Sequence, residues 1–216
     1  MDRNHCAVFD LDGTLAATIE DIAASVNRTR RDYGLPEQPV DQIVSYTGDG
    51  AEKLLKRSFA DHPLDNWTEG LKKMIQHYYD HPAENTTLYP GVKEGLAALK
   101  QAGWHLAVVT NKPGVVAREI LHQLDIDRYL DDIIGGNDGF PLKPAPEVMH
   151  HLMRKYGAAP ADSWMLGDNH TDLHSAWNAR MRSAYATWGY GTPAEGTIDL
   201  VVDSFGQFTA HLLKEA

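Results

Sequence analysis

Short apolar runs recur along the chain, and stretches with helical spacing separate them. The runs are residues 5–9, 105–109, 132–134, 164–166 and 183–187, with a weaker one at 200–202. They are rich in Val, Ile, Leu and aromatic residues and end in turn residues, the pattern of strands buried on both faces. Between them, 92–101 carries Val92, Leu96 and Leu99 at helical spacing, with Gly103 placed to stop the helix. Residues 115–124 follow Pro113-Gly114, 146–156 open on a proline suited to a first turn, and 171–179 follow Asn169-His170. This alternation predicts an α/β fold: a doubly wound, Rossmann-like parallel sheet with helices on both faces.

One segment breaks the alternation. Residues 18–79 hold no convincing strand and read as helices at 18–33, near 41–45, at 50–60 and at 64–79, punctuated by Pro36, Pro39, Pro63 and Pro82. That is too long for a crossover helix. It predicts a helical cap domain, 17–85, inserted after the first strand, with 1–16 and 86–216 forming the α/β core.

With 216 residues the chain can bury one good core and a smaller attached domain. Its formal net charge of −10 and the lack of a basic stripe argue against nucleic acid as a partner. No apolar stretch is long enough to span a bilayer, and MDRNHCAVFD has no cleavable apolar region. The single cysteine, Cys6, excludes an intramolecular disulfide framework and fits a reducing compartment; a small buried hydrophobe is the expected role. These features lead us to expect a cytoplasmic protein with neither membrane nor nucleic-acid partner.

The chemistry-bearing residues fall just after the strands. Asp10-Leu11-Asp12-Gly13-Thr14 follows the first, Thr110-Asn111-Lys112 the second, Lys143-Pro144 lies in the loop after the third, and Gly167-Asp168-Asn169-His170-Thr171-Asp172 follows the fourth. In an open parallel sheet these positions share the carboxyl edge, where ligands bind. Asp10, Asp12, Asp168 and Asp172 would then share one crevice. Two unit charges about 4 Å apart repel by roughly 4 kcal/mol at an effective dielectric near 20. Such a cluster takes up protons or needs cations. Lys143 offers one charge, and a hard divalent cation, Mg²⁺, suits an oxygen donor set. In an extended segment Asp10 and Asp12 point to the same side, roughly 6.5 Å apart. One carboxylate can attack phosphorus while the other serves the ester oxygen. Mg²⁺, Lys143, the Thr110 hydroxyl and loop N–H groups near Leu11 and Asn111 would surround the transferred phosphoryl group.

DLDGT, VVTN, the Lys of LKPAPE and GDNHTD, in this order, resemble the four motifs of the haloacid dehalogenase-like superfamily, across essentially the whole chain. The helical insert matches the cap that members carry between the first and second motifs. Within the superfamily the chain is most similar to phosphoglycolate phosphatases, through YPGVKEGLAALKQAGWHLAVVTNKP, IIGGNDGFPLKPAPE and SYTGDGAEKLL. The resemblance implies an enzyme that hydrolyses a small phosphorylated metabolite, with 2-phosphoglycolate the best guess, through phospho-Asp10. It implies Asp10 as nucleophile, Asp12 as general acid and then base, Thr110 and Asn111 at the phosphate, and Lys143 neutralising phosphate and nucleophile. It implies Asp10, the Asp12 carbonyl and Asp168 as Mg²⁺ ligands, with Asp172 in support. One departure is Asn169-His170, where Ser followed by a varied residue is more common.

Each assignment has a plainer alternative. Asp10 and Asp12 could cap the next helix, Thr110-Asn111 could open one, Lys143 could be a solvated loop lysine, and Asp172 could merely stabilise a helix dipole. His170, His150, His151, His62, His77 and His81 read as surface residues; Trp177, Trp188 and Tyr190 read as packing on the core or stabilising a surface loop. In the cap, Tyr46-Thr47-Gly48-Asp49-Gly50 is open to two readings. Gly48 and its neighbours could present N–H groups to a substrate carboxylate, with Lys53. Alternatively this is a plain helix N-terminus with Asp49 near its cap. Rivals to a phosphatase are a phosphotransferase or sugar-phosphate mutase, a dehalogenase, and a signalling module that holds phospho-Asp; Asp12 and Asp168 disfavour the dehalogenase, and a nucleophile after the first strand together with a cap disfavours the signalling module.

Overall fold

The computed structural model describes residues 4–215. The chain begins with β1 (Cys6–Phe9) and β2 (Ala16–Ala17), then the helices α1 (Ile19–Asp32), α2 (Val40–Val44), α3 (Ala51–Ser58) and α4 (Trp67–Asp80), then β3 (Thr87–Leu88). There follow α5 (Val92–Gln101), β4 (His105–Val109), α6 (Gly114–Gln123), β5 (Asp132–Ile134), α7 (Glu147–Tyr156), β6 (Ser163–Gly167), α8 (His170–Ala179), β7 (Arg182–Ala186), β8 (Leu200–Val202) and α9 (Phe205–Leu212).

Six strands form one parallel sheet in the order β5-β4-β1-β6-β7-β8. The chain winds outward from β1 through β4 to β5, then crosses back and winds outward from β6. The direction reverses between β1 and β6, and a crevice opens there at the carboxyl ends of the strands. The near-continuous apolar character of the strands has a direct cause. Ala7 and Phe9 of β1 enter one core with α5, α6 and α9, while Cys6 and Val8 enter a second with α7 and α8. Leu106 and Val108 of β4 alternate in the same way with Ala107 and Val109. Cys6 is buried, and burial pushes its thiol up to about 12, the inert hydrophobe expected from the sequence.

The helices α1 to α4 bury Ile22, Val26, Ile43, Leu55, Met74 and Tyr78. Asn66 caps α4 by accepting from the Glu69 N–H at 3.1 Å. The chain enters and leaves this segment through an antiparallel ribbon, with Ala16 opposite Leu88 and Ala17 opposite Thr87. Beside the ribbon, the buried Asp21 accepts from the Thr86 N–H at 2.8 Å and the Thr86 hydroxyl at 2.7 Å. That fixes α1 to the returning strand. Among the described residues no helix is long and apolar enough to cross a membrane.

Two elements were not anticipated from the sequence: the β2–β3 ribbon and α9. α9 packs on α5, and the contact is close. A Cβ on Gly95 would lie 2.4 Å from Thr209 Oγ1 and 2.6 Å from Phe205 Cε1. Gly95→Ala therefore raises local helix propensity yet overpacks this contact. We expect a net loss of about 1–3 kcal/mol, or a Tm lower by roughly 2–12 °C in a chain of this size. An unchanged melting curve would show that α9 shifts away at no cost.

Candidate active site

The turn after β1 is built to present two carboxylates. Leu11 O accepts from the N–H groups of Thr14, Leu15 and Ala16 at 3.1–3.3 Å, curling DLDGT into a tight loop. Gly13 sits at φ +82°, and a Cβ there would lie 2.3 Å from Asp168 Oδ2. Only glycine satisfies both conditions. The loop leaves Asp10 and Asp12 facing one cleft, partly open to solvent. Thr110, Asn111 and Lys112 reach the same cleft from β4, Lys143 from the loop after β5, and Asp168 from β6. The alternation of strands and helices thus does what the sequence suggested: it gathers residues from four strand ends.

Lys143 is at the centre of the charge arrangement. Its Nζ lies 2.8 Å from Asp10 Oδ1 and 2.7 Å from Asp172 Oδ1, and donates to Val109 O at 2.8 Å. The approach to Asp10 is a charge contact whose angle does not make a directed hydrogen bond, so Asp10 Oδ1 keeps an unfilled lone pair while buried. Asp172 is fully buried; its Oδ2 accepts from the Asn169 N–H at 3.0 Å. Both its oxygens are thereby engaged. Asp168 Oδ2 accepts from the N–H groups of Tyr190 at 3.0 Å and Gly191 at 2.8 Å, and Oδ1 from the Thr14 hydroxyl at 3.2 Å.

Burial, helped by Asp172, Asp12 and Asp168, pushes Asp10 up to about 8 against the pull of Lys143. Burial and Asp172 push Asp168 up to about 7. Burial works to lower Lys143, but Asp10 and Asp172 outweigh it and hold the ammonium above its ordinary range. The directions agree on one point: the crevice is short of positive charge. Four carboxylates face two ammoniums, Lys143 and Lys112, and the deficit is that of one divalent cation. Oxygens of Asp10, Asp168 and Asp172 lie within 4.8 Å of one another, and all three residues are buried. A hard-oxygen donor set with an unfilled lone pair on Asp10 fits such an ion.

Several residues at the site carried no functional expectation. Lys112 is 6% exposed, with Nζ 3.0 Å from Asp12 Oδ1 and 2.8 Å from the Tyr78 hydroxyl, over the Tyr78 ring. Burial lowers its basicity, and Asp12 offsets this in part. Asp12 Oδ1 also accepts from the Thr18 hydroxyl at 2.6 Å, which meets the Tyr190 hydroxyl at 2.8 Å. Tyr190, read from the sequence as a packing residue, lines the cleft instead. Trp188 does support the core, donating from Nε1 to Thr14 O at 3.1 Å, and Trp177 donates to Ser183 Oγ at 3.1 Å. His170 opens α8 with its ring against His174; His77 and His81 pair with Asp32 and Glu84.

The wall opposite the carboxylates comes from the helical insert and is mainly apolar: Ile22, Leu54, Met74, Ile75 and Tyr78. Gly48 reaches the cleft, at φ +97°, and its carbonyl accepts from Asn111 Nδ2 at 3.0 Å. The Asn111 amide also exchanges hydrogen bonds with the Lys143 backbone, 2.8 Å to N and 3.0 Å to O. Its side chain clamps the loops of the site together. Lys53 is not brought in. Ala51 and Leu54 occupy the cleft face of α3, and helical spacing turns Lys53 outward, 61% exposed, with Nζ 3.3 Å from Asp49. Asp49 is itself held by Arg57 at 2.5 Å.

Comparison with known proteins agrees with this fold. The model of the family described as haloacid dehalogenase-like hydrolase matches residues 7–186. A phosphoglycolate phosphatase of Pasteurella multocida is 35% identical over 215 residues, covering 94% of this chain and 96% of that protein. One from Vibrio vulnificus is 36% identical over 219 residues, covering 96% of each. Among solved structures, a predicted phosphoglycolate phosphatase from Haemophilus somnus superposes with a TM-score of 0.91 at 30% identity, over 98% of this chain and 99% of that one. With the sheet order, the four strand-end clusters and these matches in hand, the chain belongs to the haloacid dehalogenase-like hydrolase family, as a phosphoglycolate phosphatase-like enzyme.

Proposed function

We propose that the chain is a Mg²⁺-dependent phosphatase of small phosphate monoesters, with 2-phosphoglycolate its best substrate, working through phospho-Asp10. One observation carries this reading above the others. A buried aspartate with an unfilled lone pair stands beside a lysine at 2.8 Å, and a second aspartate two residues on lines the same cleft. Asp10 attacks phosphorus in line and the ester P–O bond breaks. Asp12 gives a proton to the departing alkoxide, then takes one from the water that hydrolyses the acyl phosphate. Lys143 pulls the Asp10 carboxyl toward its ionised form and aims it; Asp172 holds Lys143. Asp10, the Asp12 carbonyl and Asp168 would hold Mg²⁺, which when bound neutralises the phosphoryl oxygens as a Lewis acid. The Thr110 hydroxyl and the Asn111 loop receive the phosphate. Residues 17–85 act as the cap over a core of 1–16 and 86–216, and their apolar wall keeps bulk water from the first transfer. The relatives named phosphoglycolate phosphatases support the choice of substrate.

The test is a set of initial rates on 2-phosphoglycolate, hexose and pentose phosphates, nucleoside monophosphates and p-nitrophenyl phosphate. Turnover is expected to rise at least about a hundredfold with Mg²⁺ over EDTA. The highest kcat/KM is expected on 2-phosphoglycolate. Equal rates with and without metal would remove Mg²⁺ from the reading. Transfer to added sugars faster than to water would replace hydrolysis by phosphotransfer.

A further inference from the structure

The phosphate end of the cleft is well supplied with charged partners; the other end is not. Among the residues lining the cleft only Lys143 and Lys112 are cationic, and neither Arg nor His lines it. Lys143 is already committed to Asp172 and Val109 O by hydrogen bonds and to Asp10 by charge. Arg57 and Lys53 of the insert are turned to Asp49 outside the cleft. The rest of the wall mixes the apolar Ile22, Leu54, Met74 and Ile75 with the neutral Ser25, Thr47, Asn169 and Tyr190. An anionic group on the leaving alcohol would be stripped of water here with one cation in reach.

That cation is Lys112. It carries three protons, and among the described residues its only polar contacts are the Tyr78 hydroxyl and Asp12 Oδ1. It shares Asp12 Oδ1 with the Thr18 hydroxyl. Asp12 serves the ester oxygen in the proposed reaction, and the ammonium is 3.0 Å from it. A carboxylate one methylene from an ester oxygen held by Asp12 would fall beside the same ammonium. The Tyr78 hydroxyl offers it a second donor.

We propose that Lys112 is the residue that selects the substrate: its ammonium binds a carboxylate carried one methylene from the ester oxygen, so acidic phosphate esters are preferred over neutral ones of equal size. The proposal rests on the phosphatase reading above. Lys112 pairs with Asp12, the partner of the ester oxygen, while Lys143 pairs with Asp10, so the effect of Lys112 is expected in the choice between leaving groups.

The experiment compares 2-phosphoglycolate with 2-hydroxyethyl phosphate, in the wild-type protein, Lys112→Met and Lys112→Arg. The wild type is expected to favour the carboxylate by about tenfold to a hundredfold in kcat/KM, mainly through KM. Lys112→Met is expected to lose at least tenfold more on the carboxylate than on the neutral ester, and Lys112→Arg to recover part of that difference. The wild-type comparison needs no folded variant. Equal losses on both esters would reduce Lys112 to a positioning residue for Asp12 and overturn the proposal. So would a wild type that turns over both esters alike, though phosphatase activity would stand. A folded wild type inert on both but active on another ester of the panel would overturn the proposal alone; one inert on every ester would end the phosphatase reading as well.

Discussion

Asp10→Asn is expected to lower kcat by at least about 10⁴-fold on every ester while leaving a folded protein, because an amide cannot form the acyl phosphate. The wild type, quenched during turnover, should carry a hydroxylamine-labile phosphate that the variant lacks. Stability supplies the control. Burial holds Asp10 at about 8 in the folded protein, against an ordinary value of 3.8. The unfolded chain therefore binds fewer protons than the folded one between these values, and stability falls as pH rises through that window. Asn carries no such penalty. In EDTA the variant should melt above the wild type at pH 8, with the gap closing as pH falls toward 4. Mg²⁺ should then raise the wild type more than the variant. A variant that melts well below the wild type in EDTA at pH 8 would mean that Asp10 supports the fold and that lost activity says nothing about a nucleophile.

The same balance explains what was legible in the sequence. The central strands β1 and β4 could be read because both their faces are covered, so nearly every position is apolar and the runs stand out. Asp10, Asp12, Lys143 and Asp168 could be placed because each directly follows such a run or its loop, and topology does the rest. The β2–β3 ribbon could not be read: two residues per strand carry no period. α9 had a signal, with Ser204 and Gln207 three apart and Phe205, Phe208 and Leu212 at helical spacing, but it follows a weak strand that gave it no frame. Tyr78 and Tyr190 reach the site from α4 and from the loop after β7. Periodicity names the buried face of α4, yet not what that face is buried against. Lys112 sits in the same turn as Thr110 and Asn111, so its position was readable. Its role depends on Tyr78, which lies 34 residues earlier in the chain. Lys53 failed for the complementary reason. Charge beside a Gly-rich loop suggested a ligand contact, while one hundred degrees of helical rotation decided against it.

Lys143→Met tests whether the charge arrangement at the crevice is structural as well as catalytic. The substitution keeps the volume of the aliphatic stem but removes the charge that Asp10 and Asp172 share. Asp172 is fully buried and Asp10 is 8% exposed, so neither carboxylate gains solvent in exchange. Leaving buried charges without their partner costs about 3–5 kcal/mol, whereas a solvated loop lysine replaced by Met changes stability by less than about 0.5 kcal/mol. The corresponding fall in Tm is roughly 6–20 °C at pH 8. The sign of the pH effect follows from Asp10. Lys143 is the neighbour that pulls its value down, so the variant holds Asp10 higher still. Protons then do part of the work of the missing ammonium, and the gap between variant and wild type should narrow as pH falls from 8 to 5. Activity does not return with it, since a protonated Asp10 is no nucleophile; kcat should stay at least about 10³-fold below wild type at both pH values. Lys143→Arg should not restore it either, because a planar fork does not fit between two carboxylates and the Val109 carbonyl in a closed pocket sized for an ammonium. A Lys143→Met protein that melts within 2 °C of wild type (roughly 0.5–1 kcal/mol) at pH 8 would place Lys143 in solvent. The ion pair at the centre of the site would then have no part in holding Asp10.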